Sequence, residues 1–290
     1  MFIDTRQRDE GSKLETTVCI IGGGVAGITI ALELEKQGID CILLESGGHE
    51  ADDATRDLYR GENIGLPYDF ADGCRSRFLG GSSNCWGGWC RPFEDIDFQQ
   101  RDWVANSGWP FGPEEVAPYQ ARTHELLQLG PVNYDPAYWV KAVNRPDVQL
   151  LPLTKNKIED VLIQFSPPAR FGKVYREQLN DAKHASVYLY ANVVNIETDV
   201  AGHSVKAVQV KTLTGVSISV RAKQFVLAAG GIENARLLLA SNKIQPHGIG
   251  NQHDVVGRYF MDHPRTYWGK ITPKDPKYRN KLFDHKFHYL

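Results

Sequence analysis

The stretch 16–48, "TTVCIIGGGVAGITIALELEKQGIDCILLESGG", constrains the fold more than any other part of the 290-residue chain. Residues Val18 to Ile21 are apolar and rich in β-branching, the pattern of a short strand buried on both faces. Gly22, Gly24 and Gly27 follow as G-x-G-x-x-G. A helix is predicted from about Val25 to Gln37, with Gly38 as its stop. A second strand, 41–44, ends in Glu45, 18 positions after Gly27. In this β-α-β order each glycine has a task. Gly22 allows the tight turn, Gly24 lets backbone approach a pyrophosphate, and Gly27 lets helix pack on strand. The phosphates would sit at the helix N-terminus, beside Val25 and Ala26, where open amides and the dipole favour an anion. Glu45 would accept hydrogen bonds from the adenosine ribose, and its charge disfavours a 2′-phosphate, which argues against NADP. A glycine turn with no ligand is the alternative, and the strand, helix and acid around the motif speak against it.

Composition narrows the remaining classes. Hydrophobic residues make up 42% and charged residues 23%, ordinary for a globular protein of one or two domains. Lys plus Arg is 33 and Asp plus Glu is 35, a net −2, so neither a nucleic acid nor a polybasic membrane contact is expected. The N-terminal residues are polar and lack the apolar core of a signal peptide, and no apolar run is long enough to span a membrane. The five cysteines, Cys19, Cys41, Cys74, Cys85 and Cys90, are odd in number and contain no CxxC pair. Reduced thiols in a cytoplasmic protein are expected, with no metal site.

The rest of the chain reads as an α/β fold with a second layer. Residues 47–112 have little periodicity and many glycines, as in a functional loop wrapped on a ligand. A helix is predicted over Pro113–Leu129, with Pro118 disturbing its first turn. From 186 to 230 the pattern turns β: "SVYLYANVVNIETD", "SVKAVQVKT", "VSISVRA" and "KQFVLAAGG" form an antiparallel meander feeding a buried strand, Phe225 to Ala228. "GGIENARLLLAS" then opens a helix on a second glycine turn. The expected architecture is a discontinuous cofactor domain, 1–130 with 186–262, and a partial substrate or cap domain, 131–185 with 263–290.

FAD and NAD both use such a unit. Three features favour FAD: the glycine motif near the N-terminus with a second glycine-rich loop soon after, the meander leading to another glycine turn, and "FLGGSSNCWGG" (78–88), which a simple NAD domain lacks. An NAD-linked dehydrogenase is the alternative.

The segments "IIGGGVAGITIALELEKQG" with "LLESGG", "RSRFLGGSSNCWGGWCRPF", "SGWPFGPEEVAPYQARTHELL", "FVLAAGGIENARLLLAS" and "GNQHDVVGRYFMDHP" together resemble the glucose-methanol-choline oxidoreductases, FAD-dependent enzymes that oxidise alcohols. The "GWP" and "VGRYFMDHP" segments look most like the bacterial sugar-oxidising branch, similar to pyranose oxidases and fructose dehydrogenases. The resemblance implies an FAD-binding Rossmann-like domain, an incomplete α+β substrate domain, and hydride transfer from a sugar or other alcohol to flavin N5. It implies that Gly80, Gly81, Ser82, Ser83, Asn84 and Gly87 lie along the cofactor. Ser46 and Arg77 would join Glu45, Val193 would present its backbone to the adenine, and Ala229, Gly230 and Asn234 would flank the pyrophosphate. Pyranose oxidases carry a flavin-linked histidine where this chain has Cys85. A small buried thiol beside non-covalent FAD is expected there, a cysteinyl-flavin link being the alternative. The family's paired catalytic His and His or Asn lie later in a longer chain, so a base is expected beyond residue 290. A fragment, a complementing C-terminal chain and an inactive flavin-binding remnant all fit that departure.

The nine histidines supply no base of their own. They are His49, His124, His184, His203, His247, His253, His263, His285 and His288; His124 lies in a predicted helix, and His184, His203 and His247 sit in turn-like stretches. His285 and His288 lie in the tail. His263, inside "MDHP", reads as a structural contact with Asp262. Arg75, Arg77 and Arg258 read as salt-bridged, an anion site being the alternative. Trp86, Trp89, Trp103 and Trp109 could stack on a sugar or flavin, and core packing serves equally well. Substrate, electron acceptor (O2, quinone or cytochrome) and homo-oligomeric state are not legible.

Overall fold

The computed structural model describes residues 1–68, 75–154, 157–262, 272, 274 and 280. In chain order its strands and helices are β1 (Phe2–Asp4), β2 (Lys13–Ile21), α1 (Val25–Lys36), β3 (Cys41–Leu44), α2 (Asp53–Asp57), β4 (Trp89–Cys90), α3 (Asp95–Phe98), α4 (Pro113–Val116), α5 (Gln120–Leu127), α6 (Pro136–Val143), β5 (Gln164–Phe165), α7 (Phe171–Val174), α8 (Arg176–Asp181), β6 (Ala185–Leu189), β7 (Asn192–Thr198), β8 (Val205–Lys211), β9 (Ser217–Leu227) and α9 (Gly231–Ala240). Two compact units result. One comprises Met1–Trp86 with Arg170–Asp262, the other Gly87–Ala169 with His263–Leu290.

The first unit holds a seven-stranded sheet in the order β1-β6-β3-β2-β9-β8-β7. The first five strands run parallel, and β8 and β7 are antiparallel to their neighbours. Strands β2 and β3 bear the apolar runs expected of strands covered on both faces: Val18–Ile21 and Cys41–Leu44 are all buried. They pair in register, Val18 opposite Cys41 and Ile21 opposite Leu44. Residues Ile21, Ile42, Leu44, Ile196, Val208, Val210, Val220 and Leu237 belong to one buried cluster joining the parallel strands, the meander and α9. Helix α1 buries Gly27, Ile28, Ala31 and Leu32, a stripe at helical spacing. Burying Ile28 and Leu32 contributes about 1.5–3 kcal/mol each.

Three sequence expectations change. "VSISVRA" and "KQFVLAAGG" are not separate strands. No turn-forming pair interrupts them, and β9 runs through both for 11 residues. Phe225, Val226 and Leu227 are half-buried rather than buried, and Ala228 lies past the strand. The reason lies in the pairing: β2 follows β9 to Leu227, whereas β8 leaves it at Val220. The predicted helix 113–129 is broken into α4, a 3-10 turn at Ala117–Tyr119, and α5. Pro118 lacks an amide donor and disfavours helix in the residue before it. Within 47–112 the chain forms α2, β4, α3 and a 3-10 turn at Gly81–Asn84.

The second unit is built separately, with β4 and β5 antiparallel through Trp89–Phe165 and Cys90–Gln164. Its residues 87–130 group with 131–169, while 170–185 group with the large sheet. Trp89, Trp103 and Trp109 are 61%, 76% and 53% exposed, so they are not core residues. Trp89 meets Phe165 edge-on and Trp109 tilts on Phe111.

Gly27 decides whether α1 can dock. A Cβ there would fall 1.9 Å from the Gly22 carbonyl oxygen and 3.1 Å from Leu43 Cδ1. The oxygen is backbone and cannot rotate away. Gly27→Ala is therefore expected to destabilise the first unit by about 2–3 kcal/mol. Thermal unfolding checks this, and a melting temperature equal to wild type would contradict the close approach.

Candidate functional site

A cleft of about 600 Å³ opens at the carboxyl ends of β2, β3 and β9, within the first unit. Its size lies in the usual range for cofactor sites, and its place is where open α/β sheets hold ligands. The floor is the turn after β2. Gly22 has φ +108°, and a Cβ on it would strike the Ala228 carbonyl oxygen at 2.6 Å. The tight turn the spacing requires is therefore also held against the end of β9. The Gly22 amide donates to the Leu44 carbonyl at 2.8 Å and the Ala228 amide to the Ile21 carbonyl at 2.8 Å. The turns after β2 and β9 are thus tied to the same sheet.

Gly24 is the N-cap of α1. No side chain caps it, and the first turn contains no acid. Its amides and dipole are thus available to an anion. The second glycine loop lies across this point. The Gly80 amide donates to the Gly23 carbonyl at 2.8 Å, and a Cβ on Gly81 would come within 2.9 Å of Gly24 Cα. Beneath the loop, Ser83 is buried; its hydroxyl donates to the Gly80 carbonyl at 2.7 Å and accepts the Phe171 amide at 3.0 Å. Arg170 donates to the carbonyls of Ser83 (2.6 Å) and Trp86 (3.1 Å). A residue that sequence reasoning missed therefore fastens the loop to the start of α7. No spacing rule links 170 to 83.

Glu45 is only 5% exposed. Its Oε2 accepts the Gly23 amide and its Oε1 the Gly47 amide, both at 2.8 Å. The carboxylate thus fastens the first glycine turn to the end of β3, and each oxygen keeps a further lone pair. Burial pushes its pKa up, and the Gly47 and Gly23 amides offset part of that.

The far wall is polar. Glu233, in the first turn of α9, is 8% exposed and faces three guanidinium groups. Arg75 lies at 3.3 Å, Arg77 at 3.1 Å and Arg236 at 2.8 Å. Tyr59 stands beneath two of them, with the Arg75 and Arg77 guanidinium carbons 3.9 and 4.9 Å from its ring centre. Burial pushes the Tyr59 phenol to about 12, so it stays protonated. Arg258 pairs with Asp254. The salt-bridged reading of Arg75, Arg77 and Arg258 is what the structure shows.

The cleft gathers Gly22, Gly24, Val25, Ala26, Glu45, Ser46, Arg77, Gly81, Ser82, Val193, Ala229, Gly230 and Asn234 on its walls. Gly27, Gly80, Ser83 and Asn84 are not on those walls, and they hold the turns from behind. Asn84 donates to the Leu79 carbonyl at 3.1 Å. Cys85 is exposed, not the small buried group expected. It follows the 3-10 turn with its backbone amide bound to the Ser82 carbonyl and its Sγ 3.4 Å from the same oxygen. Gly87 belongs to the second unit. Cys19, Cys41 and Cys90 are also free thiols, and burial raises Cys19 to about 12 and Cys41 to about 11. Cys74, His263, His285 and His288 lie outside the described residues. Among the described residues no histidine lines the cleft. His124 is satisfied in α5, its ring bound to the Gly130 carbonyl and the Tyr134 hydroxyl.

A glycine turn opening on an uncapped helix, a buried acid after the second strand and a parallel sheet with a meander define a dinucleotide-binding Rossmann-like protein. The chain belongs to the FAD-dependent oxidoreductase family, described as "FAD dependent oxidoreductase", which matches residues 17–256. It is 41% identical over 97 residues to the fructose dehydrogenase large subunit of Gluconobacter japonicus, covering 33% of this chain and 18% of that protein. It is 24% identical to 2-methyl-1,2-propanediol dehydrogenase of Mycolicibacterium austroafricanum, covering 95% of this chain and 61% of that one. A solved formate oxidase superimposes with a TM-score of 0.44 at 17% identity, over 80% of this chain and 48% of that one. The chain spans less than two thirds of the length of each of these relatives. The family match decides for FAD over NAD. A fructose dehydrogenase among the relatives agrees with the branch to which the motifs point.

Glu233 gives the site a pH signature. Burial alone would raise its pKa, but Arg236 and Arg77 together hold it below the ordinary value of 4.5. A lowered carboxyl contributes stability that is complete above the unfolded value and lost as pH falls through the folded one. The melting-temperature deficit of Glu233→Gln should therefore be largest near neutrality and shrink below pH 4.5. A deficit that stays constant on acidification would show that the charge is not what Glu233 contributes.

Proposed function

We propose that this chain is the FAD-binding part of an oxidoreductase acting on a CH–OH group of a sugar or another small alcohol. One observation carries the reading: the approach of Gly81 to Gly24, which brings two glycine turns together over the uncapped end of α1. That leaves a strip of backbone without side chains, as a pyrophosphate and a planar ring require. The residues fit the cofactor. The amides of the first turn of α1 would hold the pyrophosphate, and Glu45 and Ser46 would meet the adenosine ribose beside Val193. Gly81 and Ser82 would pass along the flavin, on a loop that Ser83, Asn84 and Arg170 keep rigid. Bound FAD supplies a two-electron acceptor, flavin N5, for the hydride of the alcohol carbon.

The hydroxyl proton must leave as the hydride does, and a neutral histidine near working pH suits that step. The described cleft wall has none, so the base belongs to sequence outside this cleft wall. Fructose dehydrogenase and 2-methyl-1,2-propanediol dehydrogenase, by their names, act on a sugar and a diol, which supports the substrate class. The former is named as a large subunit, which supports a protein partner, and a quinone- or cytochrome-linked acceptor fits that as well as O2 does. A cytoplasmic setting completes the reading. Cys85 lies off the cleft wall, which supports non-covalent FAD.

Two measurements test this. The purified chain should bind FAD, quenching its fluorescence, and acid precipitation should leave the pellet colourless. A yellow pellet would instead assign a covalent bond, and no binding at all would sink the proposal. Gly24→Ala separates site from fold. The nearest atom to its Cβ is 3.9 Å away, so the melting temperature should hold. The methyl would displace a phosphate from the helix end, costing at least about tenfold in FAD affinity, the worth of one hydrogen bond to a charged group.

A further inference from the structure

The polar wall opposite α1 is one connected relay. Glu233 Oε2 accepts from the Arg77 terminal nitrogen at 3.1 Å. Arg77 Nε donates to Ser46 Oγ at 2.7 Å, and Ser46 donates to Asn192 Oδ1 at 2.5 Å. Asn192 Nδ2 then donates to the Lys211 carbonyl at 3.0 Å. The relay starts in α9, crosses the 75–77 strip and the end of β3, passes the start of β7 and ends in β8. Its members are largely shielded from water: Asn192 is 8% exposed, and the side chains of Glu233 and Arg77 are 9% and 12% exposed. The Arg77 guanidinium is fixed from three directions, by Glu233, by Ser46 and by the face of Tyr59. A planar fork so held offers its remaining donors in one orientation.

Position says what the relay serves. Ser46 follows Glu45, the ribose-facing acid of this fold class, and Asn192 precedes Val193. The relay therefore lies at the adenosine end of the cleft, while the Gly81–Asn84 turn lies across Gly24. Glu233 sits in the first turn of α9, with its carboxylate already engaged by Arg75, Arg77 and Arg236. The first turn of α1 has no acid.

We infer that Glu233 is a positioning residue for recognition of the adenosine half of the cofactor, acting through Arg77, Ser46 and Asn192. The inference rests on the FAD-binding reading above. It assigns to Glu233 and Asn192 a role that the glycine and acid motifs do not reveal.

The test titrates FAD and ADP into the 290-residue chain and its Glu233→Gln variant. The variant should weaken both ligands by a similar factor, about 10-fold to 100-fold by analogy with outer-shell orienting residues. Glu233→Asp, too short to reach the Arg77 fork from α9, should not restore either. A role confined to holding the helix would lower the melting temperature and leave both affinities at wild type. A general loosening would cost FAD more than ADP. Either result overturns the inference, as does a wild-type chain that binds FAD but not ADP. Should Glu233→Gln fail to fold, Asn192→Ala breaks the relay behind Ser46, away from the cleft wall, and should show the same parallel loss. A wild-type chain that fails to bind FAD removes the functional reading and this inference together. A wild type that binds FAD, with a variant that binds equally well, removes only the inference.

Discussion

The cofactor cleft depends on one steric fact: α1 lies against the turn that feeds it, with no room for a side chain at Gly27. That approach sets where the uncapped helix end points. The remaining contacts follow from it. Glu45 ties the turn to β3, the Gly80 amide ties the second loop to the turn, and Ser83 and Arg170 tie that loop to α7. Each step uses a buried polar group that is satisfied, so each step fixes a position rather than merely filling space.

Two helix ends face the same cleft and are treated differently. The first turn of α1 carries no acid, while that of α9 carries Glu233. Both have dipoles that favour negative charge. One is left open, and the other is occupied by the protein's own carboxylate, shared among three arginines.

Much of this was legible from residues alone, for identifiable reasons. The β-α-β unit rests on near neighbours, and G-x-G-x-x-G with an acid after the second strand is a local pattern. Pairing outside that unit is not local. Nothing in "VSISVRAKQFVL" shows that one strand will pair with β8 first and only with β2 afterwards. The anchoring residues were equally hidden. Arg170 reaches Ser83 across 87 positions and Ser46 reaches Asn192 across 146, and neither contact follows from composition or period. Glu233 left a faint trace in its spacing to Arg236, but its link to "RSR" is tertiary. Cys85 shows the opposite failure, since residue type argued for burial while its place after a 3-10 turn left it exposed.

Strand β9 has a mechanical consequence. It is one continuous 11-residue rod whose first half belongs to the meander and whose second half belongs to the parallel sheet. The meander bears Val193, and Ala229 and Gly230 follow the far end of the rod. No turn or loop separates its two halves. The cleft wall at Val193 and the wall at Ala229 and Gly230 are therefore joined through one continuous strand and its paired neighbours, not through a loop.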